Sequence, residues 1–139
     1  HGMAGVPDLP LNDKVFLIQS EMIRKVADKG PCVIVGRCAD YVLREKENCL
    51  NVYIYSDLDD RVARATTYYS LSPERAREQM QKMDKKRASY YNFYTNLKWG
   101  RAENYGLSLN SAKVGIDGCV DVIRAFAERM EAVAAEKKA

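Results

Sequence analysis

Apolar residues first recur at helical spacing over Val15, Ile18, Met22 and Val26. That pattern predicts a helix capped by Asn12 or Asp13 and closed near Lys29-Gly30, with Pro31 beyond it. The period then changes. Cys32-Val33-Ile34-Val35 is wholly apolar and rich in β-branched residues, as expected for a central strand buried on both faces. A second strand is predicted over residues 50–55. Ser56 follows as a cap for a helix with Leu58, Val62, Ala65 and Tyr69 on one side. Ser72-Pro73-Glu74 opens a further helix, with a capping hydroxyl, a proline in the first turn and an acid at the positive end of the dipole. Its inward stripe reads Ala76, Met80, Met83, Arg87, Tyr90 and Tyr94, so an arginine falls in line with methionines and tyrosines. Beyond a loop at Trp99-Gly100, residues 105–109 read as a third strand. Asp117 then caps a long helix with Val120, Ile123, Ala127, Met130 and Ala134 on one stripe. Alternating buried strands and amphipathic helices predict an α/β fold: a parallel sheet in three layers, with helices on both faces. Three strands are thin for that architecture, so the expected sheet is incomplete.

Composition narrows the picture. With 139 residues, 47% apolar and 29% charged, the chain is of single-domain size and able to build a core. The expected organisation is a flexible N-terminus or expression remnant over residues 1–10, an α/β domain over 11–136 and a tail over 137–139. No apolar run approaches the ~20 residues of a membrane span, and the start lacks the pattern of a secretory signal, so a cytoplasmic protein without a membrane partner is expected. Cys32, Cys38, Cys49 and Cys119 contain no C-x-x-C pair, which favours buried free thiols over a disulfide framework or a metal site. The one histidine, His1, is terminal, which sets aside triad and histidine-relay chemistry. Carboxylates, lysines and arginines remain.

Charge points to where. The formal net of +3 hides a stretch from residue 61 to 101 with ten basic and three acidic residues, leaving the rest of the chain acidic. A cationic segment on an acidic body suits an anionic ligand, although a solvated helix face explains it as simply. In open parallel sheets ligands bind outside the carboxyl ends of the strands, which selects Gly36-Arg37-Cys38-Ala39-Asp40, Ser56-Asp57 and Asn110-Ser111. Arg37 can grip a phosphate through two parallel hydrogen bonds. Asp40 would orient it or accept from a ligand, the plainer alternative being a surface ion pair. Asp84 and Arg87, three apart, share a helix face. The pair reads either as an intrahelical salt bridge or as a held guanidinium that offsets charge on a transferring phosphoryl group. Tyr90, Tyr91, Phe93, Tyr94 and Trp99 could stack bases, but core packing accounts for them more cheaply, so polynucleotide binding is disfavoured. No G-x-x-x-x-G-K-[ST] or G-x-G-x-x-G motif occurs, and no glycine is followed by lysine.

Several of these segments, in this order, resemble one family. Cys32-Val33-Ile34-Val35-Gly36-Arg37-Cys38-Ala39-Asp40-Tyr41-Val42-Leu43, Asn51-Val52-Tyr53-Ile54-Tyr55, Asp84-Lys85-Lys86-Arg87-Ala88-Ser89-Tyr90-Tyr91-Asn92, Lys98-Trp99-Gly100 and Tyr105-Gly106-Leu107-Ser108-Leu109-Asn110-Ser111 look like the cytidylate kinase-like branch of the P-loop nucleoside monophosphate kinases. The resemblance implies a P-loop kinase-like fold with its first strand and P-loop absent from this chain, and a helical lid at about residues 72–104. It also implies transfer of the terminal phosphoryl of ATP, with Mg2+, to CMP or dCMP. Arg37 matches the arginine that holds the monophosphate, and Asp84 with Arg87 matches the lid's D-x-x-R element. Arg61 and Arg64 are candidates for the same cationic cluster. The chain departs from bacterial CMP kinases at Cys38, where an aspartate would follow the arginine, and at Met80, where the lid would carry a further arginine. A noncatalytic nucleotide-sensing or scaffold domain and an RNA-binding module are the competing expectations, and a homo-oligomer stays open.

Overall fold

Helix α1, Leu11–Lys29, begins at Pro10, whose backbone (φ −52°, ψ 150°) enters the helix extended. The Pro10 carbonyl accepts from the Asp13 and Lys14 N–H groups at 3.1 Å each, so neither Asn12 nor Asp13 serves as the cap. The protein is described from a computed structural model covering residues 9–139; the flexible segment expected over 1–10 falls, for 1–8, outside the described residues. These residues form two units that divide between Cys49 and Leu50.

In the first unit α1 packs against the four-residue helix α2, Ala39–Val42. A helix that short cannot cover 19 residues. Ser20 and Ala27 are buried, whereas the expected inward stripe of Val15, Ile18, Met22 and Val26 is exposed. The strand expected at Cys32-Val33-Ile34-Val35 does not form: Val33 is 93% and Val35 88% exposed. A β-branched run supplies propensity, but a strand also needs a ladder partner, and no described residue provides one. Between this run and α2, Gly36, Arg37 and Cys38 all take positive φ (72°, 57° and 57°).

The second unit starts with strand β1, Val52–Tyr55, which pairs in parallel with β2, Leu107–Asn110; Val52 lies opposite Leu107 and Tyr55 opposite Asn110. Parallel strands need a long crossover. Here it is a helical hairpin of α3, Leu58–Tyr69, and α4, Pro73–Thr95, followed by a short 3-10 turn at Ala102–Asn104. Ser72 caps α4 as its sequence predicts, its side chain accepting from the Arg75 N–H at 3.3 Å. Asp57, not Ser56, holds the cap position of α3; the Ser56 hydroxyl donates to Asp60 at 2.6 Å instead. Val62 and Ala65 of α3 and Ala76 of α4 form the buried centre, flanked by Leu58, Leu71 and Met80, while Tyr69 is exposed.

Helix α5, Ser111–Lys138, packs on both strands and is broken at Gly115 (φ 73°, ψ 173°). Asn110 caps it by accepting from Ala112 N–H at 3.0 Å, so Asp117 lies inside the helix, and the expected tail is helical to Lys138. Cys119 is buried and Ile123, Ala127, Met130 and Ala134 half-buried, close to the predicted stripe, but Val120 is exposed. The result is a mixed α/β protein, mostly helical, with a two-stranded parallel sheet where three strands were expected. Among the described residues no helix is long and apolar enough to cross a membrane.

Candidate functional site

The buried line of α4 shares Ala76 and Met80 with the predicted stripe and runs one position away from it from Met83 onward. Ala76, Tyr91 and Thr95 are buried, with Met80, Asp84 and Ala88 half-buried between them, whereas Met83 and Arg87 are exposed. A carboxylate on that line needs a partner. Arg61, from the first turn of α3, supplies it in a forked pair: Nη1 donates to Asp84 Oδ1 at 3.1 Å and Nη2 to Oδ2 at 2.7 Å. The two side chains are only 22% and 27% exposed, so the bond is better shielded than a surface pair. Arg87 Nη2 donates to Asp84 Oδ1 from the solvent side. One carboxylate therefore holds two guanidinium groups, and the trio keeps a net positive charge.

The electrostatics follow from these bonds. The hydrogen bond from Arg61, reinforced by Arg87, holds the Asp84 carboxyl below the usual carboxylate range against the opposing effect of burial. The same bond keeps Arg61 more firmly protonated. Arg61 Nε is buried without a hydrogen-bond partner.

An aromatic wall adjoins the trio. The Arg87 guanidinium lies over the Trp99 ring, 5.0 Å from its centroid. Tyr53 of β1 meets Trp99 edge-on at 5.5 Å, Tyr105 at 5.0 Å and Tyr55 at 6.0 Å. Burial pushes the Tyr53 hydroxyl pKa up and Asp84 adds to the rise, while Arg87 and Arg61 oppose it. The Trp99 loop is held by its backbone: Trp99 N–H donates to Asn92 Oδ1 and Gly100 N–H to the Tyr105 hydroxyl, each at 3.1 Å. Gly100 has φ 82°, and a Cβ there would stand 3.0 Å from the Tyr53 oxygen. A cavity of about 290 Å³ in the loop after α4 is lined by Asn96, Leu97, Lys98, Arg101, Glu103 and Asn104, and not by Arg61, Asp84 or Arg87.

The family model described as cytidylate kinase-like matches residues 1–113. The chain belongs to the cytidylate kinase-like family. A solved structure of an uncharacterized protein from Eubacterium ventriosum ATCC 27560 is similar to it, at 33% identity and a TM-score of 0.81, over 87% of this chain and 68% of that one. No curated protein matches.

Of the six residues singled out in this cytidylate kinase-like chain, Arg61, Asp84 and Arg87 come together. Arg64 turns aside to Asp60, at 4.0 Å. Arg37 and Asp40 lie in the first unit, with Arg37 exposed and without an ion-pair partner among the described residues, so Asp40 does not orient it. Burial raises the pKa of Cys38 and Cys49, and the Asp40 charge adds a smaller push to each. Of the four free thiols, Cys38 and Cys119 are buried, Cys49 is half-buried and Cys32 is exposed. Of the aromatic run proposed as core, Tyr91 is buried, Tyr90 and Tyr94 are half-buried, and Phe93 is exposed. Residue-type reasoning did not anticipate the roles of Tyr53 and Tyr105. Their signal was the alternation of Tyr53 and Tyr55 on one strand face, together with a glycine beside Trp99.

Proposed function

We propose that this chain carries the acceptor side and lid of a nucleoside monophosphate kinase, and that the full-length protein transfers the terminal phosphoryl of ATP to CMP or dCMP. In this reading β1, β2 and their helices belong to a three-layer P-loop kinase-like sheet. Arg37 and Asp40 of the first unit are the acceptor-binding residues by the family motif. Arg87 and Arg61 offset charge on the phosphoryl group, and Asp84 fixes their orientation. The observation that supports it best is the Arg61–Asp84–Arg87 trio, because phosphoryl transfer relies mainly on positioning and on cationic groups aimed in advance. Arg87, with 54% of its side chain exposed, can still turn toward an anion while Arg61 anchors the carboxylate.

The donor does not fit the residues present. No glycine is followed by lysine, and among the described residues no group of three or more His, Cys, Asp or Glu converges on a point. No step is therefore assigned to ATP or magnesium on these residues.

A coupled ADP-release assay on the full-length protein across CMP, dCMP, UMP and AMP tests the proposal. CMP and dCMP are expected to be the best acceptors, and Arg87→Lys, which keeps the charge but loses the planar fork, is expected to lower turnover at nearly unchanged stability. Absence of turnover with every acceptor, in protein that includes a P-loop, would overturn the enzyme reading. CMP binding without turnover would instead favour nucleotide sensing.

A further inference from the structure

We infer that Trp99 is the positioning residue for Arg87, an assignment that rests on the reading of Arg87 as a phosphoryl-facing cation. The Arg87 guanidinium has two supports of different kinds. Asp84 fixes one edge by a charged hydrogen bond, and the Trp99 ring lies against it, 5.0 Å from the centroid. A carboxylate alone defines a point of attachment, about which a long exposed side chain can still swing. A ring face adds a plane, and guanidinium is a flat cation that prefers to lie against one.

Trp99 can serve in this way because it is itself held from three directions. Asn92, one turn from the end of α4, accepts from its backbone N–H. Tyr53 abuts its ring at 90°, and Tyr105 binds the next residue's N–H. These supports come from α4, from β1 and from the segment entering β2. The plane is thereby tied to the sheet, and Arg87 keeps a set direction without being buried.

Trp99 is the only tryptophan among these 139 residues, so in this chain tryptophan fluorescence reports on the surroundings of that one ring. A cation over the ring draws in the anionic quencher iodide but not the neutral quencher acrylamide. The iodide-to-acrylamide quenching ratio is therefore expected to fall by about twofold or more in Arg87→Gln, with the change much smaller in Arg61→Gln, since Arg61 does not meet the ring. In the full-length protein, Trp99→Leu is expected to lower kcat for CMP phosphorylation by about two- to fivefold at nearly constant KM, and Trp99→Phe, which keeps a ring face, to recover most of it. Pyrophosphate affinity measured by calorimetry should follow the same order.

An unchanged quenching ratio in Arg87→Gln would overturn the contact. Wild-type kcat and pyrophosphate affinity in Trp99→Leu would overturn the positioning role. Equal losses in Trp99→Phe and Trp99→Leu would do so too, by showing that shape rather than the ring face matters. If the wild-type protein proves to have no kinase activity, the quenching ratio and pyrophosphate binding still decide the Trp99 assignment, while the kinase reading alone falls.

Discussion

Two arginines of this protein meet solvent in opposite ways. Arg87, in the second unit, is restrained through its side chain, by Asp84 and the Trp99 ring, on an ordinary helical backbone. Arg37, in the first unit, has no ion-pair partner among the described residues, and its restraint is in the main chain, where Gly36, Arg37 and Cys38 take three successive left-handed conformations. Left-handed backbone costs a residue with a Cβ roughly 1–2 kcal/mol. The contrast separates two ways of presenting a cation. Side-chain clamping fixes direction but neutralises part of the charge. Backbone placement leaves the charge whole and the side chain free.

The largest expected difference between the two regions comes from removing the shared carboxylate. Asp84→Asn leaves Arg61 half-buried with a weaker acceptor and should destabilise the protein by about 3 kcal/mol in urea unfolding, since each charged hydrogen bond is worth roughly 1.5–3 kcal/mol. Arg37→Ala should change stability by no more than about 0.5 kcal/mol, as surface substitutions usually do. pH sharpens the point. The folded pKa of Asp84 lies below its unfolded value, so its contribution is complete above the ordinary carboxylate pKa of about 4 and fades as pH falls through the lower folded value. Wild type should therefore lose stability below about pH 4 more steeply than Asp84→Asn. Parallel acid limbs for the two proteins would show that Asp84 is not clamped.

Glycines give a smaller contrast. Gly36 and Gly100 both have positive φ, but a Cβ at Gly36 would meet nothing within 4 Å, whereas one at Gly100 would press on Tyr53. Gly36→Ala should cost about 1 kcal/mol from backbone strain, and Gly100→Ala about 2 kcal/mol because the aromatic wall must also give way. Equal melting temperatures for the two variants would mean that the Tyr53 ring yields freely.

What the sequence made legible was local. Ser72 and Pro73 start α4 because capping chemistry sits within one turn, and the stripe Ile123, Ala127, Met130 and Ala134 was readable from period alone. Two errors have one physical source. Helical spacing alone puts Arg87 on the inner line of α4, whereas the structure half-buries Asp84 there, at the cost of covering a carboxylate. Arg61, 23 residues earlier, removes that cost. The run Cys32-Val33-Ile34-Val35 likewise has the propensity of a strand but no described neighbour to pair with. In both cases the deciding contact, or its absence, is distant in sequence. The candidate site was half legible for the same reason: Asp84 and Arg87 share a helix turn, whereas Tyr53, Trp99 and Tyr105 converge only after β1 and β2 have paired.

The smallest predicted effect leaves stability untouched and tests the first unit by chemistry. Burial, with a lesser push from Asp40, raises the Cys38 thiol to about 11, and the same two causes raise Cys49 in that order. Thiolate is the reactive species, so at pH 8 roughly one Cys38 in a thousand is poised to react. Cys32 is exposed on the same segment. Limited alkylation with iodoacetamide, read by peptide mass spectrometry, should therefore mark Cys32 first and Cys38 only in denaturant or well above pH 8. Asp40→Asn separates the causes. Because burial outweighs the Asp40 charge, that variant should speed Cys38 labelling by only a few-fold, far short of the Cys32 rate. If Cys38 instead labels as fast as Cys32 in the wild type, its position at the start of α2 is not closed to solvent, and the backbone that presents Arg37 is looser than its three left-handed residues suggest.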